Sequence, residues 1–169
     1  ADCTATVGNN TVVLTVTDGN SGTATANLTV NVTANSAPTV TYGNVAVNGG
    51  SAATNSTTTA TDNGSITGYA VQSPGTYTGT ISVDASGVVS ISNAAPIGSH
   101  TVTIRATDDC GAFADATFTL TVNNTAPSFT PAAAISRQQG SSAGAAVTVG
   151  TVSDAQTAAG SLVVTQIAG

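Results

Sequence analysis

The chain has 169 residues, a formal net charge of −6 and only two basic residues, Arg105 and Arg137, so it lacks the basic patch needed for nucleic-acid phosphates or an anionic membrane surface. Apolar residues make up 40% of it, enough for real cores, but aromatics are 4% and Trp and Met are absent, so those cores are built from Ala and Val. No stretch approaches the roughly 20 apolar residues of a membrane-spanning helix, and the first residues lack the charged and apolar regions of a signal peptide.

The first predicted element begins at Thr11. Apolar residues alternate with Thr and Asn from Val12 through Val32, with the inward set Val12, Leu14 and Val16, then Ala24, Ala26, Leu28, Val30 and Val32. Period two places one face inward and the other in water, which is a strand pattern. Asp18-Gly-Asn-Ser-Gly22 separates the two runs with turn chemistry, so the pair reads as a β-hairpin. Asn-Ser-Ala37-Pro38 follows as a stiff linker. Short strands are then predicted over Val45–Val47, Gly79–Val83 and Val88–Ile91, separated by Gly, Asn, Ser and Pro clusters. A second hairpin runs from Thr101 through Asp108-Asp-Cys-Gly111 to Val122, with Val102, Ile104, Ala106, Ala114, Ala116, Phe118, Leu120 and Val122 inward. It ends in Asn-Thr-Ala126-Pro127.

The second hairpin repeats the first. Gly22 to Pro38 spans 16 positions and Gly111 to Pro127 also spans 16, so the copies align with one residue inserted in the first turn. Short strands with turns at this spacing indicate an all-β fold of tandem β-sandwiches. Residues 37–124 are expected to form one complete sandwich, residues 1–36 the C-terminal strands of an upstream one, and residues 125–169 the N-terminal strands of a downstream one. The flanks together nearly match one domain. Either the chain is a window on a longer tandem protein, or the end of one subunit and the start of the next build a shared sandwich; an isolated hairpin with an apolar face needs a partner in both cases.

Thr101-Val-Thr-Ile-Arg-Ala-Thr-Asp-Asp-Cys-Gly111, with the closing Phe118-Thr-Leu-Thr-Val-Asn-Asn-Thr-Ala-Pro127, resembles the bacterial immunoglobulin-like and cadherin-like repeats of large surface and filament proteins. Arg137-Gln-Gln-Gly and Val152-Ser-Asp-Ala resemble the opening of another such repeat. The resemblance implies immunoglobulin-like sandwiches in a secreted, extracellular or cell-surface parent, with copies of the chain or adjoining repeats as partners. It is specific for architecture and weak for activity. Val122-Asn-Asn-Thr-Ala-Pro127 has Asn where a calcium-bound cadherin linker carries acids, and the chain has no Lys for an isopeptide crosslink.

No constellation points to an enzyme. Ser99 and His100 are adjacent but lack an orienting acid, and His100 is expected as an exposed polar strand end. Glu is absent, and no Cys/His cluster has zinc spacing. No cofactor is expected beyond calcium, for which Asp108 and Asp109 are the candidate ligands; the competing reading is that the turn aspartates Asp18, Asp62, Asp108, Asp109 and Asp154 satisfy turn amides. In a sandwich the turn holding Cys110 and the loop holding Cys3 both face the upstream joint, so a Cys3–Cys110 disulfide would staple consecutive domains; Cys3 and Cys110 paired elsewhere upstream, or left as free thiols, are the alternatives. Six Asn-x-Ser/Thr sequons start at Asn9, Asn27, Asn31, Asn55, Asn63 and Asn123 as candidate glycosylation sites.

Two roles remain. One is a structural building block of an extracellular filament or surface fibre. The other is an adhesin or carbohydrate-binding accessory module meeting a glycan or cell-surface receptor, for which Tyr42, Tyr69, Tyr77 and the outward Phe113 are the aromatic candidates.

Overall fold

The computed structural model describes residues 2–134, 136–142, 144 and 146–166. Thirteen strands and one short 3-10 turn (Ala159–Ser161) are assigned among them, and the protein is all-β.

The core of the central domain lies on the hairpin of β10 (Gly98–Asp108) and β11 (Phe113–Asn123). Alternation decides which residues fill it: Val102, Ile104, Ala106, Ala116, Phe118, Leu120 and Val122 are buried, and the Thr positions between them are not. This hairpin anchors a four-stranded sheet in the order β4-β11-β10-β7, with β4 (Val45–Asn48) parallel to β11 and β7 (Ile66–Ser73) antiparallel to β10. The facing layer consists of β3 (Thr39–Tyr42) paired with β6 (Thr57–Thr61), and of β5 (Ala53–Asn55), β9 (Val89–Ser92) and β8 (Thr80–Val83) in that order. Val40, Tyr42, Val89 and Ile91 from this layer close the core. Tyr42 and Phe118 meet across it with ring centroids 5.6 Å apart. The result is an immunoglobulin-like β-sandwich.

The upstream hairpin pairs β1 (Gly8–Thr17) with β2 (Thr23–Val32). Its register is that of β10 and β11: Gly8 faces Val32, Val12 faces Leu28 and Leu14 faces Ala26, as Gly98 faces Val122, Val102 faces Phe118 and Ile104 faces Ala116. Both strands therefore map onto their counterparts at one constant numbering offset. The turns are also of equal length, since Asp18 N–H bonds Gly22 O and Asp108 N–H bonds Ala112 O. The expected insertion in the first turn is thus corrected. Ser21, at φ 68°, takes the left-handed position that Gly111 holds at φ 84°, and the extra residue falls between Val32 and Pro38. Matching Gly22 to Gly111 by residue type misplaces it.

The apolar face of this first hairpin meets no second sheet among the described residues. Leu14 is 52% exposed and Leu28 49%, where their counterparts Ile104 and Phe118 are 0% and 3%. Downstream, β12 (Ser128–Pro131) pairs with β13 (Gly150–Ser153) just as β3 pairs with β6.

Candidate functional site

Side-chain hydrogen bonds tie the flanking segments to the central domain at two joints. At the upstream joint Cys3 and Cys110 form a disulfide, with Cα atoms 5.3 Å apart. It ties the segment before β1 to the β10–β11 turn. Beside it, Asn35 Nδ2 donates to Asp108 Oδ2 at 2.8 Å.

A second tie spans the same joint. Ser36, two residues before Pro38, donates its backbone N–H (3.3 Å) and its hydroxyl (3.1 Å) to Asn63 Oδ1. Asn63 Nδ2 in turn donates to Ala34 O at 3.1 Å. A side-chain amide carries an acceptor and two donors on one rigid plane, so Asn63 holds the linker at two residues, Ala34 and Ser36.

The downstream joint repeats the grip on the residue two before Pro and adds a bond to the central domain. Thr125, two residues before Pro127, donates its backbone N–H (3.1 Å) and its hydroxyl (2.7 Å) to Gln156 Oε1, and Gln156 Nε2 donates to Gly49 O at 2.9 Å. Each gripping amide sits in an Asp-initiated turn that follows an equivalent strand. Asp62 Oδ2 accepts from Gly64 N after β6, and Asp154 Oδ1 accepts from Gln156 N and Thr157 N after β13. Gln156 stands one residue further into its turn than Asn63 does, and its longer side chain covers the difference. The cysteine staple is not repeated, because Asn93 occupies the position in the central domain that Cys3 holds upstream.

The aspartates serve turns. Asp108 Oδ1 accepts from Cys110 N and Ala112 N, at 2.9 and 2.8 Å, while Oδ2 takes the Asn35 amide. Those donors, the Asn35 side chain foremost, hold the Asp108 carboxyl below the usual aspartate range against the opposing effect of burial. Asp18 and Asp84 make the same pair of bonds to the amides two and four residues ahead. Of the calcium candidates, Asp108 accepts from N–H donors at both oxygens, and Asp109 Oδ1 accepts from Ser65 N at 3.5 Å. Among the described residues no three His, Cys, Asp or Glu side chains cluster as a metal site.

His100 departs from expectation: it is 3% exposed. Nε2 lies 2.9 Å from Pro96 O, which only accepts, so Nε2 carries a proton, and Nδ1 shares a 2.8 Å hydrogen bond with the Thr76 hydroxyl. Its counterpart in the first hairpin, Asn10, likewise donates to the carbonyl four residues back, Thr6 O, at 2.7 Å. Alternation with Val102 and Ile104 was the signal for burial, and the polarity of the side chain masked it.

The aromatic candidates separate cleanly. Tyr42 and Tyr77 are buried and donate their hydroxyls to Gly87 O and Ser92 O at 2.8 Å; burial first, then the neighbouring Tyr69 and Asp84, pushes Tyr42 up to about 12. Tyr69 is half-buried against the core. Phe113 is exposed, with the Arg105 guanidinium 3.7 Å above its ring. Arg105 also pairs with Asp115 through two bonds of 2.8 and 2.9 Å, the cross-strand neighbour that the hairpin register supplies. Of the sequon asparagines, Asn63 is engaged in the upstream joint, and Asn55 Nδ2 donates to Gly43 O at 2.8 Å. Asn9, Asn27, Asn31 and Asn123 are exposed.

No family model matches the chain, and no curated protein matches it. Among solved structures it is similar to the protocadherin gammaB4 extracellular domain, at 17% identity over 87% of this chain and 29% of that one, TM-score 0.46. It is also similar to protocadherin gammaB7, at 20% identity over 88% of this chain and 44% of that one, TM-score 0.44. A third likeness is to the fibronectin(III)-like modules of Clostridium thermocellum CbhA, at 19% identity over 70% of this chain and 64% of that one, TM-score 0.40. The chain spans less than two thirds of the length of each of the three.

Proposed function

We propose that the chain is a structural building block of an extracellular filament or surface fibre, in which sandwiches stack end to end and the flanking hairpins are completed by a neighbouring subunit or adjoining chain. The observation that carries this reading is the pair of amide clasps. The same two-bond grip, from the N–H and hydroxyl of a residue two before Pro to a side-chain amide oxygen in an Asp turn, recurs at both joints, and each amide nitrogen adds a bond to a backbone carbonyl, Ala34 O in the linker upstream and Gly49 O of the central domain downstream. Repetition of a joint is what a stiff array of domains requires, whereas independent binding modules need only a linker. The Cys3–Cys110 staple supports an oxidising, extracellular setting. The work is mechanical and needs no catalytic group. Commitment of Tyr42 and Tyr77 to the core weighs against an aromatic sugar platform.

Electron microscopy of the native material, with the intact mass of its denatured subunit, tests the reading. Filaments whose subunit has a mass near 16.2 kDa support completion by neighbouring subunits. Filaments or fibres of a far larger chain support completion by adjoining repeats. Compact isolated particles would refute the structural role.

A further inference from the structure

We propose that residues 162–166 of one copy add as an antiparallel strand to the open edge of β1 in a second copy, filling the place that β7 fills beside β10. This rests on the assembly reading above and names the strand and register through which it would occur.

The central domain supplies the template. β10 is flanked by β11 on one side and β7 on the other, while β1 is flanked by β2 alone among the described residues. An edge of unpaired N–H and C=O groups beside an uncovered apolar face is a template for another strand. Gly64-Ser65 lead into β7 at Ile66, four positions after Asp62; Gly160-Ser161 lead into Leu162, eight positions after the equivalent Asp154, the longer stretch holding the 3-10 turn Ala159–Ser161. Leu162 is already extended, at φ −82° and ψ 134°, and residues 162–166 pair with no strand among the described residues. Val163 is 84% exposed and Val164 54%.

One chain does not bring the two together. The upstream joint holds the Asp108 end of β10, and the downstream joint, through Gly49 and Asn123, holds the Gly98 end. Ten steps of extended strand separate them, about 33 Å. Residues 162–166 that reach β1 therefore belong to a second copy.

Transferring the β10–β7 register makes the proposal specific. Arg105 faces Ala70, Ala106 faces Tyr69 and Thr107 faces Gly68. The corresponding pairs are Thr15 with Gln166, Val16 with Thr165 and Thr17 with Val164. Thr165 then turns to the apolar side of β1, Val164 and Gln166 turn outward, and Leu162 takes the place that Ile66 holds opposite Asp108, beyond the register shift that skips Thr67.

Cysteine pairing between full-length chains tests this. One preparation carries Thr15→Cys and another carries Gln166→Cys; both are mixed under conditions where light scattering reports assembly, then mildly oxidised. Cβ atoms of directly opposed residues lie about 4.5–5.5 Å apart, within small adjustment of a disulfide, whereas diagonal neighbours lie about 7–8 Å apart. The expected result is a disulfide from residue 15 of one chain to residue 166 of another, in several-fold excess over the offset mixture of Thr15→Cys with Val164→Cys. Peptide mapping separates it from Cys3–Cys110. Equal yields from both mixtures, or no crosslink in material that micrographs show as filaments, would overturn the strand pairing and leave the filament reading intact. No crosslink together with compact particles in the native material would overturn both.

Discussion

Asn35 Nδ2 and Asp108 Oδ2 stand 2.8 Å apart across 73 positions of sequence, joining the linker before the central domain to the turn that carries Cys110. The bond makes the upstream joint sensitive to acid. Asp108 has a folded-state pKa below its unfolded value, from the Asn35 amide first and then the backbone amides of Ala112, Cys110 and Gly111. Its contribution is therefore fully present above the ordinary aspartate range and is lost as pH falls through the depressed folded value. Acidification is expected to loosen the joint while the apolar core persists, and NMR of the Asn35 side-chain amide reads this directly. In Asp108→Asn that acid transition should vanish.

Equivalent positions in the two hairpins should respond differently to the same truncation. Ile104 is fully buried, so Ile104→Ala removes packed volume and should cost about 2–5 kcal/mol in denaturant unfolding of the central domain. Leu14 occupies the matching register but is 52% exposed, so Leu14→Ala in unassembled chain should change stability by no more than about 0.5 kcal/mol. Under the proposed completion by a neighbour, the Leu14 position becomes a core position. The same substitution should then cost as much as a core truncation, read as a raised critical concentration.

The turn pair offers a test of backbone strain without contacts. Gly111 has φ 84° and no atom within 4 Å of where a Cβ would stand, so Gly111→Ala introduces left-handed strain alone and should cost about 1 kcal/mol. Ser21 already bears that strain at φ 68°. Ser21→Gly should accordingly protect the β1–β2 amides in hydrogen exchange, and slower exchange there is the result that checks it.

Much of this architecture was legible because it follows from period two. The inward residues of β10 and β11 are those that alternation selects, and strands near Val45, Gly79 and Val88 appear within a residue of expectation at β4, β8 and β9. β6 and β7 were not legible: Thr57-Thr-Thr-Ala-Thr61 has no apolar alternation, and Gly68 interrupts β7. Their strand character comes from pairing with β3 and β10, which is tertiary. The joints divide in the same manner. The two linkers repeat visibly as Asn-Ser-Ala-Pro and Asn-Thr-Ala-Pro, but Asn63 and Gln156 lie 27 and 31 residues from the hydroxyls they bind. No local spacing announces such a contact. Asn63 was legible only as a sequon.

Those two amides should set the stiffness of the array. Asn63→Ala removes the acceptor for Ser36 and the donor to Ala34 O, and Gln156→Ala does the same for Thr125 and Gly49 O. Each joint is partly open to water, so the released groups rehydrate and the cost should be about 1 kcal/mol rather than that of an orphaned buried group. The larger consequence is angular. At the upstream joint the Cys3–Cys110 disulfide and the Asn35–Asp108 bond remain in Asn63→Ala, while the downstream joint has no disulfide to fall back on. Gln156→Ala should therefore widen the distribution of orientations at its joint more than Asn63→Ala does. Residual dipolar couplings measured separately for the hairpin, the central domain and the β12–β13 pair distinguish the two variants. Reduction of the disulfide in Asn63→Ala should bring the upstream joint closer to that looseness, with the Asn35–Asp108 bond as its remaining tie.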